Sequence, residues 1–292
     1  MKNVLLWTNC QGGAIIGMLN KYHSDKYTTK HFLNYEYIRE HKTLPEEFKD
    51  ADIFIYQNYN SDKHVKDYDL DHIINNVLKP ECKTICIPFL YFEAMFPYNT
   101  RQQSSNNFRT VSPESPFGRC FFGIGLIDDI MSGLDIKNFS DNDKETLIES
   151  ICQDLVSENK VTEDEMKKYH DRSFEYLENK IMSGDLPFLL DYIKTNFTKT
   201  RLWHNPNHPS GELMKELVRG VFGILELDFN YDNDDLSAFN GLKDWEMPIL
   251  PCVKKYYNLT FDDSCLSIYD PSIVDKKTFI RQYVKWMYFD FI

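Results

Sequence analysis

The tightest constraint on this chain lies at its start. A short apolar run, Val4-Leu5-Leu6-Trp7, ends in the polar turn Thr8-Asn9-Cys10-Gln11-Gly12-Gly13, after which Ile15, Met18, Leu19 and Tyr22 recur at helical spacing. Such an order reads as strand, tight turn, helix. The pattern then repeats. A strand is expected over Thr28 to Leu33, and another over Ile53 to Tyr56, introduced by Asp50-Ala51-Asp52 and closed by Gln57-Asn58. A helix from Asp69 to Leu78, with Leu70, Ile73, Ile74 and Val77 on one face, leads through Pro80 to a strand at Thr84 to Ile87. Strands alternating with helices predict an α/β fold: a mainly parallel sheet flanked by helices on both faces, joined by right-handed crossovers.

Beyond the fourth strand the rhythm breaks. From Pro88 to Pro116 the chain is irregular, rich in aromatics, Asn, Ser and Pro, and carries Arg101 and Arg109. Ordered loops of this length are commonly functional. Residues 119–198 read as a helical insertion within a single α/β domain spanning 1–292, with helical periodicity over Asp141 to Ser157, Thr162 to Ile181 and Leu186 to Asn196. Arg201 to Trp203 reads as a last strand, Asn205-Pro206-Asn207-His208-Pro209-Ser210 as a turn, and Gly211 to Val221 as a helix. An acidic loop, Asp228 to Asp235, precedes a packing tail in which Phe279, Tyr283, Trp286 and Met287 sit at helical spacing.

Composition narrows the function classes. With 292 residues, 42% hydrophobic and 15% aromatic, the chain has ample material for a core. A formal net charge of -12 disfavours a general nucleic-acid binder or a partner of anionic lipid, because attraction to phosphate needs a basic face. The first apolar run is too short for a signal peptide or membrane span, and no later run reaches that length, so a cytoplasmic location without a transmembrane segment is expected. The seven cysteines, Cys10, Cys82, Cys86, Cys120, Cys152, Cys252 and Cys265, are scattered and odd in number, which favours thiols over a disulfide scaffold. Cys82 and Cys86 lack a second pair at zinc-binding spacing, and no metal is expected.

Open parallel sheets place their sites beyond the carboxyl ends of the strands. Three loops expected there end in groups suited to acyl transfer: Asn9-Cys10-Gln11, Gln57-Asn58, and Asn205 to Ser210. Cys10 at a helix start meets unpaired N–H groups and the positive end of the helix dipole, which favour a thiolate. The same N–H groups, with Gly12 and Gly13 permitting close approach, are suited to holding an oxyanion. His208 is the expected base, with Asn205 orienting its ring, so that Cys10 and His208 meet in one active site. His204, directly after Trp203, competes for that role but reads as strand-end packing. Bland readings stand beside each assignment: a buried small Cys, an ordinary helix start at Asn-Gln-Gly, a structural His, a Gln57 that only bonds backbone, and solvated pairs for Arg101 and Arg109. The Asn205–His208 spacing resembles the Asp-x-x-His of SGNH-type esterases, with Asn for Asp and Cys10 for the serine after the first strand. That analogy implies an SGNH/flavodoxin-like three-layer fold, a Cys-His-Asn unit, and Gln57 or Asn58 as a further oxyanion donor.

The same segments resemble the WcbI-like polysaccharide biosynthesis family of capsule gene clusters. The likeness rests on Asn9-Cys10-Gln11, Ala51-Asp52-Ile53-Phe54-Ile55-Tyr56-Gln57, Ile87-Pro88-Phe89-Leu90-Tyr91-Phe92 with Pro97, Arg201-Leu202-Trp203 followed by Asn207-His208-Pro209-Ser210, and Pro248-Ile249-Leu250-Pro251. The family usually has Gly before Asn-Cys-Gln, where this chain has Thr8, and a less open turn is expected. The resemblance implies coenzyme A or acetyl-coenzyme A as co-substrate and an O-acetyltransferase acting on a sugar hydroxyl of capsular or surface polysaccharide. It places Cys10 and His208 at the reactive positions, with Gln11, Gln57 and Asn207 lining the site. Arg101 and Arg109 are expected to meet the phosphates of coenzyme A. Two other functions use the same residues: an SGNH-like thiol esterase or deacetylase, and a non-catalytic protein that binds coenzyme A or sugar.

Overall fold

The computed structural model describes residues 1–59, 68–97, 99–101, 122–155, 161–229, 239, 242–243, 246–261, 267 and 270–289. The chain falls into two compact units. The first comprises Met1–Leu90, Glu175–Thr195 and Pro209–Leu242, the second Tyr91–Phe174, Asn196–His208 and Lys243–Ile292.

The first unit is built on four strands, β1 (Lys2–Thr8), β2 (Tyr27–Leu33), β3 (Ile53–Gln57) and β4 (Lys83–Ile87), in the order β2-β1-β3-β4 and parallel throughout. Helix α1 (Gly12–His23) crosses from β1 to β2, and α2 (Asn34–Glu40) follows β2. The strand after α1 returns to one side of β1, whereas β3 lies on the other. The strand order therefore reverses between β1 and β3, the position where doubly wound sheets open a crevice. Side chains on β1 alternate between the two faces. Leu5 and Trp7 enter a core with Phe48, Ala51, Phe54, Tyr68, Leu70, Ile73 and Leu78. The fully buried Trp7 ring stacks on Tyr68 at 6.2 Å and meets Phe48 edge-on at 5.4 Å. Its indole N–H donates to the Tyr59 hydroxyl at 3.1 Å, which donates in turn to the Tyr68 carbonyl.

The expected helix before β4 is divided. Asp69 caps α3 (Leu70–His72) by accepting from the Asp71 N–H at 2.9 Å, and the chain then widens into a π-helical turn, Ile73–Val77. The Asn75 side chain donates to the Asp71 carbonyl at 2.8 Å, and the Leu78 N–H reaches back to Ile73 at 3.0 Å. An asparagine pair is a weak helix former that competes for backbone partners, which accounts for the break.

The second unit holds β5 (Asn99–Arg101) and β6 (Phe122–Ile124), an antiparallel pair, and then α4 (Gly125–Ser132), α5 (Asp141–Leu155) and the first part of α6 (Glu163–Met182). The end of α6 and nearly all of α7 (Phe188–Asn196) belong to the first unit, so the helical stretch 119–198 is divided between the two. The expected last strand at Arg201 to Trp203 is displaced. Strand β7 (Trp203–Asn205) starts two residues later and pairs with β8 (His208–Pro209) in a separate two-stranded ribbon, not with the parallel sheet. Arg201 precedes β7 because its guanidinium folds onto carbonyls, donating to Trp203 at 3.2 Å, His204 at 3.3 Å and Met247 at 2.6 Å. The turn Pro206-Asn207 then sends the chain back, and Phe92, stacked on Trp203 at 4.6 Å, donates its N–H to the Pro206 carbonyl at 2.9 Å. The second unit also contains α9 (Pro251–Tyr257) and α10 (Lys276–Val284), which continues as a π-helical turn at Lys285–Phe289 and places Phe279 and Tyr283 in the core as expected. The long helix α8 (Gly211–Ile224) belongs to the first unit, where its Phe222 ring meets His23 edge-on at 5.4 Å.

The seat of α1 on the sheet depends on one missing side chain. A Cβ on Gly12 would fall 2.0 Å from Thr8 Oγ1, 3.1 Å from His31 Nε2 and 3.2 Å from Leu6 Cδ2. Thr8 is fully buried and β-branched, so its hydroxyl cannot simply swing away. Gly12→Ala is expected to lower stability by about 1–3 kcal/mol in urea unfolding. Pairing it with Thr8→Gly should recover part of that loss, since the shortest contact disappears, and additive losses in the double variant would contradict this account.

Candidate active site

The turn after β1 is held by its own atoms. Asn9 Oδ1 accepts from the Gln11 N–H at 2.8 Å, and the Asn9 and Cys10 carbonyls accept from the Gly12 and Gly13 N–H groups, each at 3.1 Å. Gln11, which stands as the N-cap of α1, makes no side-chain cap. The oxyanion role expected of the Gly12 and Gly13 N–H groups is therefore corrected, because both are committed to carbonyls of the turn. Gly13 nonetheless borders open space, for a Cβ there would meet nothing within 4 Å. Cys10 is a half-buried thiol on this turn.

Two buried glutamines fasten the turn to its neighbours. Gln57, at the end of β3, accepts the Asn9 N–H on Oε1 at 2.7 Å and donates through Nε2 to Gln11 Oε1 and the Pro88 carbonyl, each at 3.1 Å. Gln11 Oε1 also accepts from the Leu90 N–H at 3.2 Å, and its Nε2 donates to the Leu90 carbonyl at 3.1 Å. Gln57 thus has no amide hydrogen left for an oxyanion, which corrects that expectation. The backbone-bonding reading of Gln57 is the one the geometry supports. Neighbouring Asn58 is exposed.

Two residues of this region went unremarked in the sequence. His31, opposite Leu6 on β2, lies 2.9 Å from the Thr8 hydroxyl. That hydroxyl donates to the Asn9 carbonyl at 2.9 Å, so it accepts from His31 Nε2. Burial pushes the His31 pKa down, against the opposing pull of hydrogen bonds to the Asn9 and Thr8 backbone. Thr8 therefore points into the protein and does not narrow the turn from outside, contrary to the less open turn expected from its departure from glycine. Tyr35, half exposed at the start of α2, has its hydroxyl pKa pushed up to about 12, first by burial and then by electrostatic interaction with Cys10 and Glu36. Parallel pairing of β1 with β2 carries both residues to the Cys10 end of the sheet, a signal present in the topology but not in any local motif.

The remaining predicted residues lie in the second unit. Asn205 is fully buried, and its Oδ1 accepts the N–H groups of Asn207 at 3.2 Å and His208 at 3.1 Å. It holds the backbone of the turn and not the His208 ring, which corrects the Asp-x-x-His analogy. Its Nδ2 is buried without a hydrogen-bond partner. Asn207 and His208 are half-buried on this turn, while His204, read as packing, bonds Glu246 at 3.0 Å. Arg101 ends β5, and Arg109 lies outside the described residues. Among the described residues no group of three or more His, Cys, Asp or Glu is placed to hold a metal ion, and no helix is long and apolar enough to cross a membrane.

A parallel sheet in the order 2-1-3-4, bearing a thiol on the turn at its switch point, defines an α/β protein of the doubly wound class. Comparison with known proteins makes the assignment narrower. Residues 3–122 match the family described as polysaccharide biosynthesis enzyme WcbI. A solved structure described as WcbI, a novel polysaccharide biosynthesis enzyme, in its native form without a disulfide bond between coenzyme A and one of its cysteines, matches with a TM-score of 0.67 at 16% identity, covering 98% of this chain and 89% of that one. No curated protein matches the chain. The chain is thus WcbI-like, in sequence over residues 3–122 and in fold over nearly its whole length.

Gln57→Glu tests the glutamine lattice. A carboxylate there would face two oxygen acceptors while buried, so its folded-state pKa would rise above the ordinary glutamate value. The variant should lose stability as pH rises through about 4 to 7 and regain it on acidification, and a pH-independent loss would argue against the lattice. The native protein has the opposite sensitivity at His31. With its folded pKa lowered, the stability from neutral His31 is complete above the ordinary histidine value and is lost as pH falls below it. His31→Gln, which keeps a donor for Thr8, should flatten that acid-side loss in urea midpoints measured at pH about 7 and 5.

Proposed function

We propose that this chain is an acyl-coenzyme A-dependent O-acyltransferase, of acetyl groups in the first instance, acting on a sugar hydroxyl during assembly of a capsular or surface polysaccharide in the cytoplasm. The observation that carries the reading is the Cys10 turn. A half-buried thiol stands on a turn clamped by Gln11 and Gln57, at the reversal point of a WcbI-like sheet. The similar WcbI structure is described by reference to coenzyme A and one of its cysteines, in a form without a disulfide bond between them, and this supports taking a coenzyme A thioester as the substrate for this turn.

Acyl transfer needs a thiol or an oxyanion holder beside the thioester carbonyl, and a base for the acceptor hydroxyl. Cys10 takes the first role, either as nucleophile or as the group that borders the reacting carbonyl, while Gln11 and Gln57 fix its backbone. An imidazole of the turn after β7 takes the second. His208 is the one that the sequence spacing singles out, and Asn207 lines the same turn. Because the chain carries a formal net charge of -12, phosphates of coenzyme A need local cations, a role assigned to Arg101 and Arg109.

Calorimetry should show saturable binding of coenzyme A that Cys10→Ala retains. Intact-protein mass spectrometry after incubation with acetyl-coenzyme A should show an acetyl adduct on the native chain and none on Cys10→Ala if transfer is covalent. Binding without an adduct would select direct attack by the acceptor. Absence of any binding would defeat the proposal.

A further inference from the structure

Acyl transfer at Cys10 needs a donor for the oxygen that becomes negative, and the turn has little left to give. The N–H groups of Asn9, Gln11, Gly12 and Gly13 are committed to side-chain or backbone oxygens, and both amide hydrogens of Gln57 are taken. The neighbouring strand offers another. Pairing of β1 with β2 ends with Leu33 opposite Thr8, so the two chains leave the sheet side by side, Asn34 and Tyr35 on one, Asn9 and Cys10 on the other.

Tyr35 is held in this place from both directions. His31 Nε2 donates to the Thr8 hydroxyl at 2.9 Å, and that hydroxyl donates to the Asn9 carbonyl at 2.9 Å, which fastens the end of β2 to the Cys10 turn. Asn34, buried, takes the Tyr35 N–H on its Oδ1 at 2.7 Å. Tyr37 packs edge-on against Trp7 at 5.6 Å and Phe32 at 5.4 Å, which sets the roll of α2. Residues two apart on a helix point about 200° from each other, so with Tyr37 turned inward the Tyr35 ring turns out, 50% exposed. Burial, then interaction with Cys10, then Glu36 push its hydroxyl pKa up to about 12, against a smaller pull from Arg39, and the proton stays in place through the neutral range. Cys10 thus weighs on this hydroxyl more than its chain neighbour Glu36 does. The Glu36 carboxylate accepts from the hydroxyl as well, and rotation about the C–O bond re-aims the proton.

We propose that Tyr35 is a catalytic residue of the Cys10 site, its hydroxyl donating a hydrogen bond to the carbonyl oxygen of the acyl thioester and holding that oxygen as it becomes negative. The assignment rests on the acyltransferase reading and applies to either nucleophile, Cys10 or the acceptor hydroxyl. In the step, the nucleophile bonds to the acyl carbon and gives up its proton to the base, while the carbonyl π pair moves onto the oxygen facing the Tyr35 O–H. That pair then returns and the carbon–sulfur bond breaks. The sulfur of coenzyme A leaves with the electrons of that bond and takes up the proton, so no proton is gained or lost. Tyr35 keeps its own proton throughout.

The test follows thiol release from acetyl-coenzyme A in the presence of methyl glycosides, so that transfer to Cys10, to a sugar or to water counts. Tyr35→Phe removes only the hydroxyl of a half-exposed ring. It should bind coenzyme A within about twofold of the native chain while kcat falls by about 100-fold. Glu36→Gln should keep kcat within about twofold. A fluorinated tyrosine at position 35, whose hydroxyl ionises nearer neutrality, should add an alkaline limb to the kcat profile, because an ionised phenol cannot donate. A ring that serves only packing would leave the profile unchanged. Native kcat in Tyr35→Phe, a fluorotyrosine profile without the new limb, or a loss in Glu36→Gln equal to that in Tyr35→Phe overturns the assignment and leaves the acyltransferase reading intact. A native chain that binds no coenzyme A, or releases no thiol, defeats both.

Discussion

The site depends on two glutamine side chains more than on any packing contact. Where parallel strands end, their last backbone groups lose their ladder partners, and buried ones must find others. Gln57 supplies an acceptor to Asn9 and donors to Gln11 and Pro88, while Gln11 closes a reciprocal pair with both backbone groups of Leu90. The loops after β1, β3 and β4 are thereby tied into one lattice. Cys10, flanked by Asn9 and Gln11, inherits a fixed backbone on both sides, the kind of support that holds a reactive group in place. A serine or alanine at either glutamine position would satisfy none of this at the same reach.

Much of that sheet was legible in the residues because its strands are short apolar runs closed by polar turns. The runs at Val4, Thr28, Ile53 and Thr84 predict strands that the structure extends by three residues in β1 and by one in each of the others. The ribbon β7–β8 was not legible as a separate element. Trp203 has the look of a strand end in either topology, and only the folding of Arg201 onto three carbonyls shows that the chain turns away there. The helix before β4 follows the same rule. Its apolar spacing was correct, but the asparagines at 75 and 76 change the hydrogen-bond period without disturbing the apolar face.

The site residues divide along a similar line. Gln11, Gln57 and Asn205 stand out in the sequence as polar groups where strands end, yet residue type alone could not say whether a carboxamide faces a ligand or a backbone. In each case the side-chain oxygen is taken by a backbone N–H, of a neighbouring loop for Gln11 and Gln57 and of its own turn for Asn205. His31 and Tyr35 escaped notice for the converse reason. Neither sits in a turn after a strand of the expected site, and their proximity to Asn9 and Cys10 arises from pairing between β1 and β2.

The histidines can be sorted by what their partners allow, without appeal to position. The Thr8 hydroxyl has a single proton and gives it to Asn9, so His31 must donate to it through Nε2 and cannot accept there. Burial further holds that ring neutral. Its role is to brace the turn. His204 has the reverse arrangement, with the carboxylate of Glu246 on Nδ1 and the lone pair left at Nε2. The same side chain therefore meets a hydroxyl on β2 and a carboxylate on β7, and which of its nitrogens carries the proton is set by whether the neighbouring oxygen still has a proton to give.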